Sequence, residues 1–345
     1  MATIILGDIV EVIKETVHNP QESGFQYFVG LEHYDSGEPL ITRYATPDNL
    51  TSSVKHFAKG DILVARRNVY LKRASLVDFE GITSGDSIVL RAKDKKYQQI
   101  LPFILNSDDF WDYAEQNSDG TMSKRLSPAD LLDYEFEEPE NIELLADKLW
   151  AAYRVKESYK KLLAATDDML KAKFMEMFGE EGETARLGDY VDVKTGKLDS
   201  NAANKGGLYP FFTCSSDTLQ INTYAFDCEA VLLAGNGEFS VKYYEGKFNA
   251  YQRTYIIQSK DKNILSVPYL YYWFTEYAKI LKKQAIGGVI KYIKLNYITD
   301  AKFFCPPLPL QQQFVEIATQ AKATKESLRK SIENIDQVIK SLINQ

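Results

Sequence analysis

The sequence predicts an α+β protein in which two duplicated domains are separated by two long helices that form an antiparallel coiled coil. Three features predict this fold. Short segments recur in the same order in both halves, two long stretches repeat apolar residues at heptad spacing, and each half mixes β-branched runs with helical patterns. The 345 residues suit two domains, since a domain takes about 150 residues. The expected boundaries are 1–139 and 180–309 for the domains, and 140–179 and 310–345 for the helices.

The duplication is visible as five pairs of matching segments. Residues 6–12 and 187–193 both open on Leu-Gly-Asp, and Asp-Ile-Leu-Val-Ala at 61–65 has a counterpart in the apolar run at 230–234. The other pairs are two triplets expected to open helices (Leu101-Pro102-Phe103 and Val267-Pro268-Tyr269), residues 120–126 with 288–295, and Pro139 with Pro306 and Pro307. Because all five keep the same order, they indicate an internal twofold repeat.

Both long stretches carry apolar residues at alternating steps of three and four, the spacing of a coiled-coil seam. In the first, the ladder consists of Ile142, Leu145, Leu149, Ala152, Tyr159, Leu163, Leu170 and Met177, with Lys156, Thr166 and Lys173 at the remaining steps. In the second, it consists of Phe314, Ile317, Ala321, Thr324, Leu328, Ser331, Ile335, Val338 and Leu342. Each helix would be about 50 Å long. Two matching seams favour an antiparallel pair, and the alternative is that each helix closes on a separate core.

Within each copy, strands and helices are both indicated. Short β-branched runs bounded by turn residues predict strands at 61–65, 87–90, 230–233 and 254–257. Leu270, Phe274, Tyr277 and Leu281 follow helical spacing instead. Each copy is therefore expected to be an α+β domain of about 130 residues.

The charge is unevenly distributed along the chain. The whole sequence has 48 acidic and 41 basic residues, a net charge of −7. Residues 1–180 hold 31 acids and 21 bases, whereas residues 181–345 hold 17 acids and 20 bases. No apolar stretch is long enough to span a membrane, the first residues lack a secretion signal, and three cysteines suggest no disulfide framework. A cytoplasmic protein without a membrane partner is expected.

Two basic zones occupy corresponding places in the two copies. Residues 55–73 and 279–302 each carry six bases and one acid, with Tyr and Asn among them. Lys and Arg neutralise phosphates, while Arg, Asn and Gln can hydrogen-bond to base edges. A solvated face is the plainer explanation of one such zone, but two in register favour nucleic-acid binding. The candidate DNA-binding residues are Arg66, Arg67, Asn68, Lys72, Arg73, Lys124, Arg125, Asn236, Lys242, Gln252, Arg253, Lys291, Tyr292 and Lys294.

Catalytic and metal-binding patterns are absent from the sequence. The three histidines lie within the first 60 residues without metal-ligand spacing. Two acid-x-Lys triplets, at Asp192 and Glu245, occur as often as chance predicts and scarcely support a nuclease. Residues 130–143 contain seven acids and no base, which suits either a solvated connector or a surface for a basic partner.

The chain resembles the DNA-specificity subunit of type I restriction–modification systems. The strongest segment is Gly-Gly-Val-Ile-Lys-Tyr-Ile-Lys-Leu at 287–295, continuing to Cys-Pro-Pro-Leu-Pro-Leu-Gln-Gln-Gln-Phe-Val at 305–315. It is similar to the family's closing segment of each target-recognition domain, where a Pro-Pro-Leu-Pro run enters a conserved helix through a Gln. The first copy departs from this pattern with Glu-Glu-Pro-Glu at 137–140, and Arg66-Arg67-Asn68 replaces the Gly-Asn-Gly turn at 235–237.

The resemblance implies two target-recognition domains that read the halves of a split site in double-stranded DNA, with the paired helices setting the spacing. It implies a bacterial or archaeal chain that is not an enzyme and binds no cofactor or metal itself. Two methyltransferase (M) subunits would dock along the helices and use S-adenosylmethionine for adenine-N6 methylation. Restriction (R) subunits would use ATP and Mg²⁺ for translocation and cleavage. The seam residues Leu145, Leu149, Tyr159, Leu163, Leu170, Phe314, Ile317, Leu328, Ile335 and Leu342 are the candidate coiled-coil and partner-binding set.

Two other functions remain open on the residues alone. One is an interaction scaffold whose coiled coil joins two ligand-binding domains without DNA. The other is a stand-alone nuclease, which would depend on Asp192 or Glu245 and on Mg²⁺.

Overall fold

A computed structural model describes residues 2–120, 123–179, 184–237, 239–287 and 291–344. It divides the chain into two compact units. Unit 1 consists of Met1–Lys161 and Arg329–Gln345, and unit 2 of Leu162–Leu328. Each unit contains one α+β domain together with a part of each long helix. Parts of the predicted matching segments, residues 121–122 and 288–290, lie outside the described residues.

Unit 1 contains twelve described strands and five described helices, the fifth of which continues into unit 2. The strands are β1 (Thr3–Ile5), β2 (Val10–Ile13), β3 (Thr16–Val17), β4 (Phe28–Val29), β5 (Val54–Phe57), β6 (Ile62–Ala65), β7 (Ala74–Leu76), β8 (Gly81–Thr83), β9 (Ser87–Ala92), β10 (Ser118–Asp119), β11 (Arg125–Leu126) and β12 (Glu135–Glu137). The helices are α1 (Leu6–Ile9), α2 (Lys95–Ile104), α3 (Asp108–Gln116), α4 (Pro128–Leu132) and α5 (Ile142–Phe178). Short 3₁₀ turns occur at Pro20–Glu22, Leu31–His33 and Val69–Leu71.

Unit 2 follows a similar order. Its described strands are β13 (Ala185–Arg186), β14 (Val191–Thr195), β15 (Tyr209–Phe212), β16 (Thr218–Ile221), β17 (Phe226–Ala234), β18 (Val241–Ala250), β19 (Thr254–Ser259) and β20 (Lys302–Phe303). Its helices are α6 (Val267–Gln284), α7 (Asn296–Thr299) and α8 (Leu308–Ile343), the last of which continues into unit 1. Two 3₁₀ turns lie at Leu187–Asp189 and Ser200–Ala202.

The same three-stranded core occurs in both units, as the duplication predicts. In unit 1 it has the order β2-β9-β6, and in unit 2 the order β14-β19-β17, with antiparallel pairing throughout. A two-stranded ribbon also joins the first strand to the last short one in each unit, as β1 with β12 and as β13 with β20. In the complete sheets β6 lies between β9 and β7, and β17 lies between β19 and β18, and these two are called the central strands. β6 is buried at all four positions, which explains its continuous apolar run.

The predicted strands and helix within each copy are confirmed, with one error. The runs at 87–90, 230–233 and 254–257 lie in β9, β17 and β19, and the run at 61–65 lies in β6 except for Asp61, which precedes the strand. Leu270, Phe274 and Leu281 are the buried face of α6. Val267 opens α6 as expected, but Leu101 and Pro102 lie inside α2, which begins at Lys95. Asp94 caps the N-terminus of α2 by accepting a hydrogen bond from the Lys96 amide. Pro102 lies inside the helix and therefore does not mark its start.

The two long helices pair antiparallel within each unit. In unit 1, Lys156 of α5 contacts Asp336 of α8, while Leu145 and Ile343 line one cavity. In unit 2, Lys325 of α8 contacts Asp167, and Phe314 packs against Phe178 at 5.5 Å between ring centroids. Higher numbers on one helix therefore meet lower numbers on the other.

The seam of α5 is the predicted ladder, whereas the seam of α8 is displaced at every second step. Along α5, Leu149, Lys156 and Thr166 are buried, and Leu145, Tyr159, Leu163 and Leu170 are half-buried. Along α8, Phe314, Ala318, Ala321 and Leu328 are buried, and Lys325, Ile332, Ile335, Ile339 and Leu342 are half-buried. The predictions for Thr324 and Val338 are wrong, because both are exposed, and Ile317 is half-buried beside the seam. The residue that occupies the seam next to Thr324 is Lys325. Because Lys325 is charged, a search for apolar spacing does not select it.

The helices also pack on the domain cores. Antiparallel pairing and packing on a core, the two alternatives that the sequence left open, therefore both occur. In unit 1, Ile142, Leu149 and Tyr153 belong to the same core cluster as β6 and α2 residues. In unit 2, Phe314 and Ala318 belong to the core cluster that contains Leu270 and Phe274 of α6. Among the described residues, no helix is long and apolar enough to cross a membrane.

Candidate nucleic-acid interface

In each unit, the chain leaving the central strand pairs with a distant segment in the same way. In unit 1 the Asn68 amide donates to the Lys124 carbonyl and the Leu126 amide to the Arg66 carbonyl, both at 2.9 Å. Residues 66–68 and 124–126 are called the unit 1 loop pair. In unit 2 the Gly237 amide donates to the Lys291 carbonyl at 3.1 Å and the Ile293 amide to the Gly235 carbonyl at 3.0 Å. Residues 235–237 and 291–293 are the unit 2 loop pair.

The two loop pairs bring together most of the predicted residues. Facing positions are Arg67 with Arg125 in unit 1, and Asn236 with Tyr292 in unit 2. These residues are far apart in the sequence, and the duplication alone indicated that they occupy matching places. Each unit thus carries a pair of polar loop segments at the end of its central strand.

Arg67 and Arg125 are the exposed cations of the unit 1 loop pair. The Arg67 Nε donates to the Ser123 Oγ at 3.0 Å, and that hydroxyl donates to the Asn68 Oδ1 at 3.0 Å. Asp86 lies 3.8 Å from Arg67 Nη1 and 3.5 Å from Arg125 Nη2. Both guanidiniums are thus oriented from one side while their outer edges stay in water, which suits contact with an anionic or acceptor-rich ligand.

Other candidates in this region are engaged within unit 1. Lys124 Nζ donates to the Glu115 carbonyl at 2.9 Å, and Lys72 pairs with Asp108 at 2.9 Å. Arg73 donates from Nη1 to the Leu31 carbonyl and from Nη2 to the Arg67 carbonyl, and burial lowers its guanidinium pKa. Arg73 therefore supports the loop that presents Arg67.

The unit 2 loop pair presents smaller and less charged side chains. Lys291 and Tyr292 are exposed, Asn236 is half-buried, and Lys294 follows directly as an exposed residue. The loop containing exposed Gln252 and Arg253 lies against it, because the Gly235 amide donates to the Arg253 carbonyl at 2.7 Å. A Cβ on residue 235 would lie 2.6 Å from that carbonyl oxygen, so the close approach requires glycine.

Lys242 has a different environment from the other unit 2 candidates. Its Nζ donates to the Ser215 carbonyl at 2.9 Å and to the Asp217 carbonyl at 3.0 Å. Burial lowers the pKa of this ammonium group. The side chain ties β18 to the loop after β15, so the contacts of Lys242 in the structure are internal.

Two polar residues at the unit 1 loop pair escaped the sequence reasoning. Asp86 and Ser123 hold Arg67. Asp86 belongs to no motif, and Ser123 lies in the repeated segment 120–126 but carries no charge that would mark it as a candidate. Asp86 lies in a turn between β8 and β9, and only strand pairing brings that turn next to residue 66. Among the described residues, no group of three His, Cys, Asp or Glu side chains is placed to hold a metal ion.

The comparisons with known proteins agree with this architecture. Residues 179–337 match the family model described as the type I restriction modification DNA specificity domain. The chain is 42% identical over 158 residues to the type I restriction enzyme EcoDI specificity subunit of Escherichia coli. That match spans 46% of this chain and only 35% of the relative's length.

Solved structures resemble the chain over nearly its whole length. The type I restriction–modification S subunit from M. genitalium has a TM-score of 0.65 at 14% identity, covering 99% of this chain and 94% of that one. A structure titled for complex assembly and conformational transition of the type I R-M system has a TM-score of 0.57 at 16% identity, covering 99% and 96%. The chain therefore carries a type I restriction modification DNA specificity domain sequence at residues 179–337 and has the fold of solved type I S subunits.

Proposed function

We propose that this chain is the sequence-specific DNA-recognition subunit of a type I restriction–modification complex. It reads a bipartite target in double-stranded DNA with one α+β domain per half-site. The observation that carries this proposal is the repeated loop pair, which places Arg67 and Arg125 in unit 1, and Lys291 and Tyr292 in unit 2, at matching ends of the central strands. The specificity-domain match at residues 179–337 supports it.

The partners and their chemistry belong to the same proposal. Two methyltransferase subunits would methylate adenine N6 with S-adenosylmethionine, and restriction subunits would use ATP and Mg²⁺ to translocate and cleave DNA. This chain would direct those reactions in a bacterial or archaeal cytoplasm without catalysing them. No observation favours a coiled-coil scaffold that acts without DNA.

Methylation mapping tests the proposal directly. The full chain is co-expressed with a cognate methyltransferase subunit, and methylated adenines are located across a genome that lacks other methylation. A split motif with a fixed gap is expected. Replacing residues 1–139 with the corresponding domain of another specificity subunit is expected to change one half of the motif and leave the other half unchanged.

Two controls make the result decisive. The methyltransferase expressed alone should methylate no motif. Methylation by the complex without sequence preference would contradict the proposal, as would a domain exchange that altered both halves at once.

A further inference from the structure

Asp86 is an acidic side chain that lies between Arg67 and Arg125 of the unit 1 loop pair. Its two carboxylate oxygens lie towards different guanidiniums, Oδ2 towards Arg67 at 3.8 Å and Oδ1 towards Arg125 at 3.5 Å. Arg67 and Arg125 belong to the two different segments of the loop pair. Asp86 therefore bridges the segments through their side chains, in addition to the backbone pairing.

The turn that carries Asp86 is fixed by several hydrogen bonds. The Asp86 amide donates to the Ser84 Oγ at 3.2 Å, and the Asp86 carbonyl accepts from the Arg66 amide at 3.0 Å. Lys55 Nζ donates to the Ser87 carbonyl at 2.6 Å immediately beyond the turn. The carboxylate is thus presented from a rigid connection between β8 and β9, with about a quarter of its surface exposed (27%).

A carboxylate in a DNA-binding surface is unfavourable if the surface only attracts phosphates. It repels the DNA backbone and neutralises part of the charge that gives non-specific affinity. It is favourable if the two arginines must be held in one geometry, because a free arginine loses much rotamer entropy when it makes a paired hydrogen bond. The Ser123 hydroxyl, which accepts from Arg67 Nε at 3.0 Å, restricts the same side chain from a second direction.

We propose that Asp86 is a positioning residue that holds Arg67 and Arg125 as a preformed pair for reading a base edge. The matching ligand has two acceptors on one edge, as guanine does in the major groove, because a guanidinium donates two parallel hydrogen bonds to it. This inference rests on the proposed function and assigns part of the half-site specificity of unit 1 to these residues.

Asp86→Asn separates this role from a purely electrostatic one, because the two predict opposite signs. Loss of a negative charge alone increases affinity for every DNA. Loss of a positioning group decreases the affinity for the target DNA, whereas the affinity for other DNA still increases because a negative charge has been removed. The ratio between specific and non-specific binding is therefore the quantity to measure.

The experiment uses the full chain in complex with its methyltransferase partner. Two duplexes are compared at one salt concentration: one carries the mapped target, and the other has the unit 1 half-site scrambled. For Asp86→Asn the affinity ratio is expected to fall about tenfold or more, the scale of one paired arginine–base contact. Methylation mapping should show relaxed positions in one half-site only.

Asp119→Asn is the matched control. Asp119 borders the same cavity as Arg66, Arg67 and Arg125 and faces Arg125 across the β10–β11 pair. Within the part of the chain that the structure describes, Asp119 makes no ion pair. This variant should strengthen binding to both duplexes by one common factor and leave the ratio unchanged.

Asp86→Glu keeps the charge but displaces the carboxylate, so it tests position alone if the amide variant folds poorly. A reduced ratio with unchanged melting temperature supports the proposal. An unchanged ratio in both Asp86 variants overturns it while leaving the DNA-recognition role intact. A wild-type complex that binds both duplexes equally overturns the proposed function, and the role of Asp86 with it.

Discussion

The two units build the same backbone feature from different side chains. The unit 1 loop pair is rich in arginine and enclosed by Asp86 and Ser123, whereas the unit 2 loop pair carries Asn236, Lys291 and Tyr292. The pairing between the segments is made by backbone amides and carbonyls in both cases. Because backbone hydrogen bonds do not depend on side-chain identity, the exposed chemistry can change while the scaffold stays constant.

The helix seams of the two units can be compared in the same way. Lys156 pairs with Asp336 in unit 1, and Lys325 pairs with Asp167 in unit 2. The two lysines are 169 residues apart, as are the two aspartates. Each seam thus contains one copy of the same interhelical ion pair. A charged residue in a seam disfavours other registers, since it would be buried without its partner there.

The two copies of this ion pair differ in burial. In unit 1, Glu38 joins the cluster, with an oxygen 3.0 Å from Lys156 Nζ and 2.8 Å from Lys160 Nζ. Lys156 is nearly buried, whereas Lys325 pairs only with Asp167 among the described residues and is more exposed. Glu38 precedes the long helices in the domain, whereas Lys156 and Lys160 belong to α5, so in unit 1 these ion pairs connect the domain to its helix.

The largest expected difference between corresponding seam positions concerns Phe314 and Leu145, which are also 169 residues apart. Phe314 is fully buried against Phe174, Phe178 and Tyr272. Phe314→Ala should destabilise unit 2 by about 3–5 kcal/mol, and Leu145→Ala should cost unit 1 less than about 2 kcal/mol because Leu145 is half-buried. Hydrogen exchange, measured separately on peptides of the two units, checks both values. Val338→Ala, at an exposed site, serves as the control, and equal losses at Phe314 and Leu145 would contradict the burial argument.

For the seam lysines we expect the opposite order, with the larger loss of stability in unit 1, and a smaller difference between the units. Lys156→Met removes the cation that Asp336 and Glu38 share, and we expect a loss of about 1–3 kcal/mol, since Asp336 is partly exposed and Glu38 keeps Lys160. Lys325→Met leaves only the exposed Asp167 without its partner and should cost about 0–1 kcal/mol. Denaturant-dependent hydrogen exchange of α5 peptides on either side of residue 161 distinguishes them. A greater loss for Lys325→Met would show that the Glu38 cluster does not stabilise unit 1.

The Glu38 cluster should also make unit 1 sensitive to acid. Burial raises the pKa of the Glu38 carboxyl, but its contacts with Lys160 and Lys156 outweigh burial, so the pKa lies below the usual value. A lowered carboxyl pKa contributes stability that is present above about pH 4.3 and is lost as the pH falls through the folded-state pKa. Glu38→Gln should therefore destabilise unit 1 by about 1 kcal/mol at pH 7 and progressively less towards pH 3.

Unfolding of the wild-type chain and of Glu38→Gln across this pH range provides the measurement. Glu157→Gln is the matched control, because among the described residues Glu157 forms its ion pair with Lys160 alone, within one turn of its own helix. A difference between wild type and Glu38→Gln that stayed constant down to pH 3 would exclude the ionised carboxylate as its source.

The sequence alone determined the duplication, the α+β class and the presence of two heptad helices. The five matching segments, the period of α5 and the apolar runs of β6 and β17 depend only on local residue order, which backbone geometry translates directly into helices and strands. It also indicated the two basic zones, because charge density along a chain needs no structure.

Tertiary structure decided what these residues contact. Lys325 occupies the seam step at which the apolar pattern predicts Thr324, and Asp167 lies opposite it as its ion-pair partner. Asp86 lies next to Arg67 only through the pairing of β6 with β9. Lys72, Arg73 and Lys242 are predicted to bind DNA, and in the structure their hydrogen bonds and ion pairs are with carbonyls and a carboxylate of their own unit. A charge has the same sequence signature whether it faces a ligand, a carbonyl or a buried counter-ion, and only the three-dimensional environment distinguishes these cases.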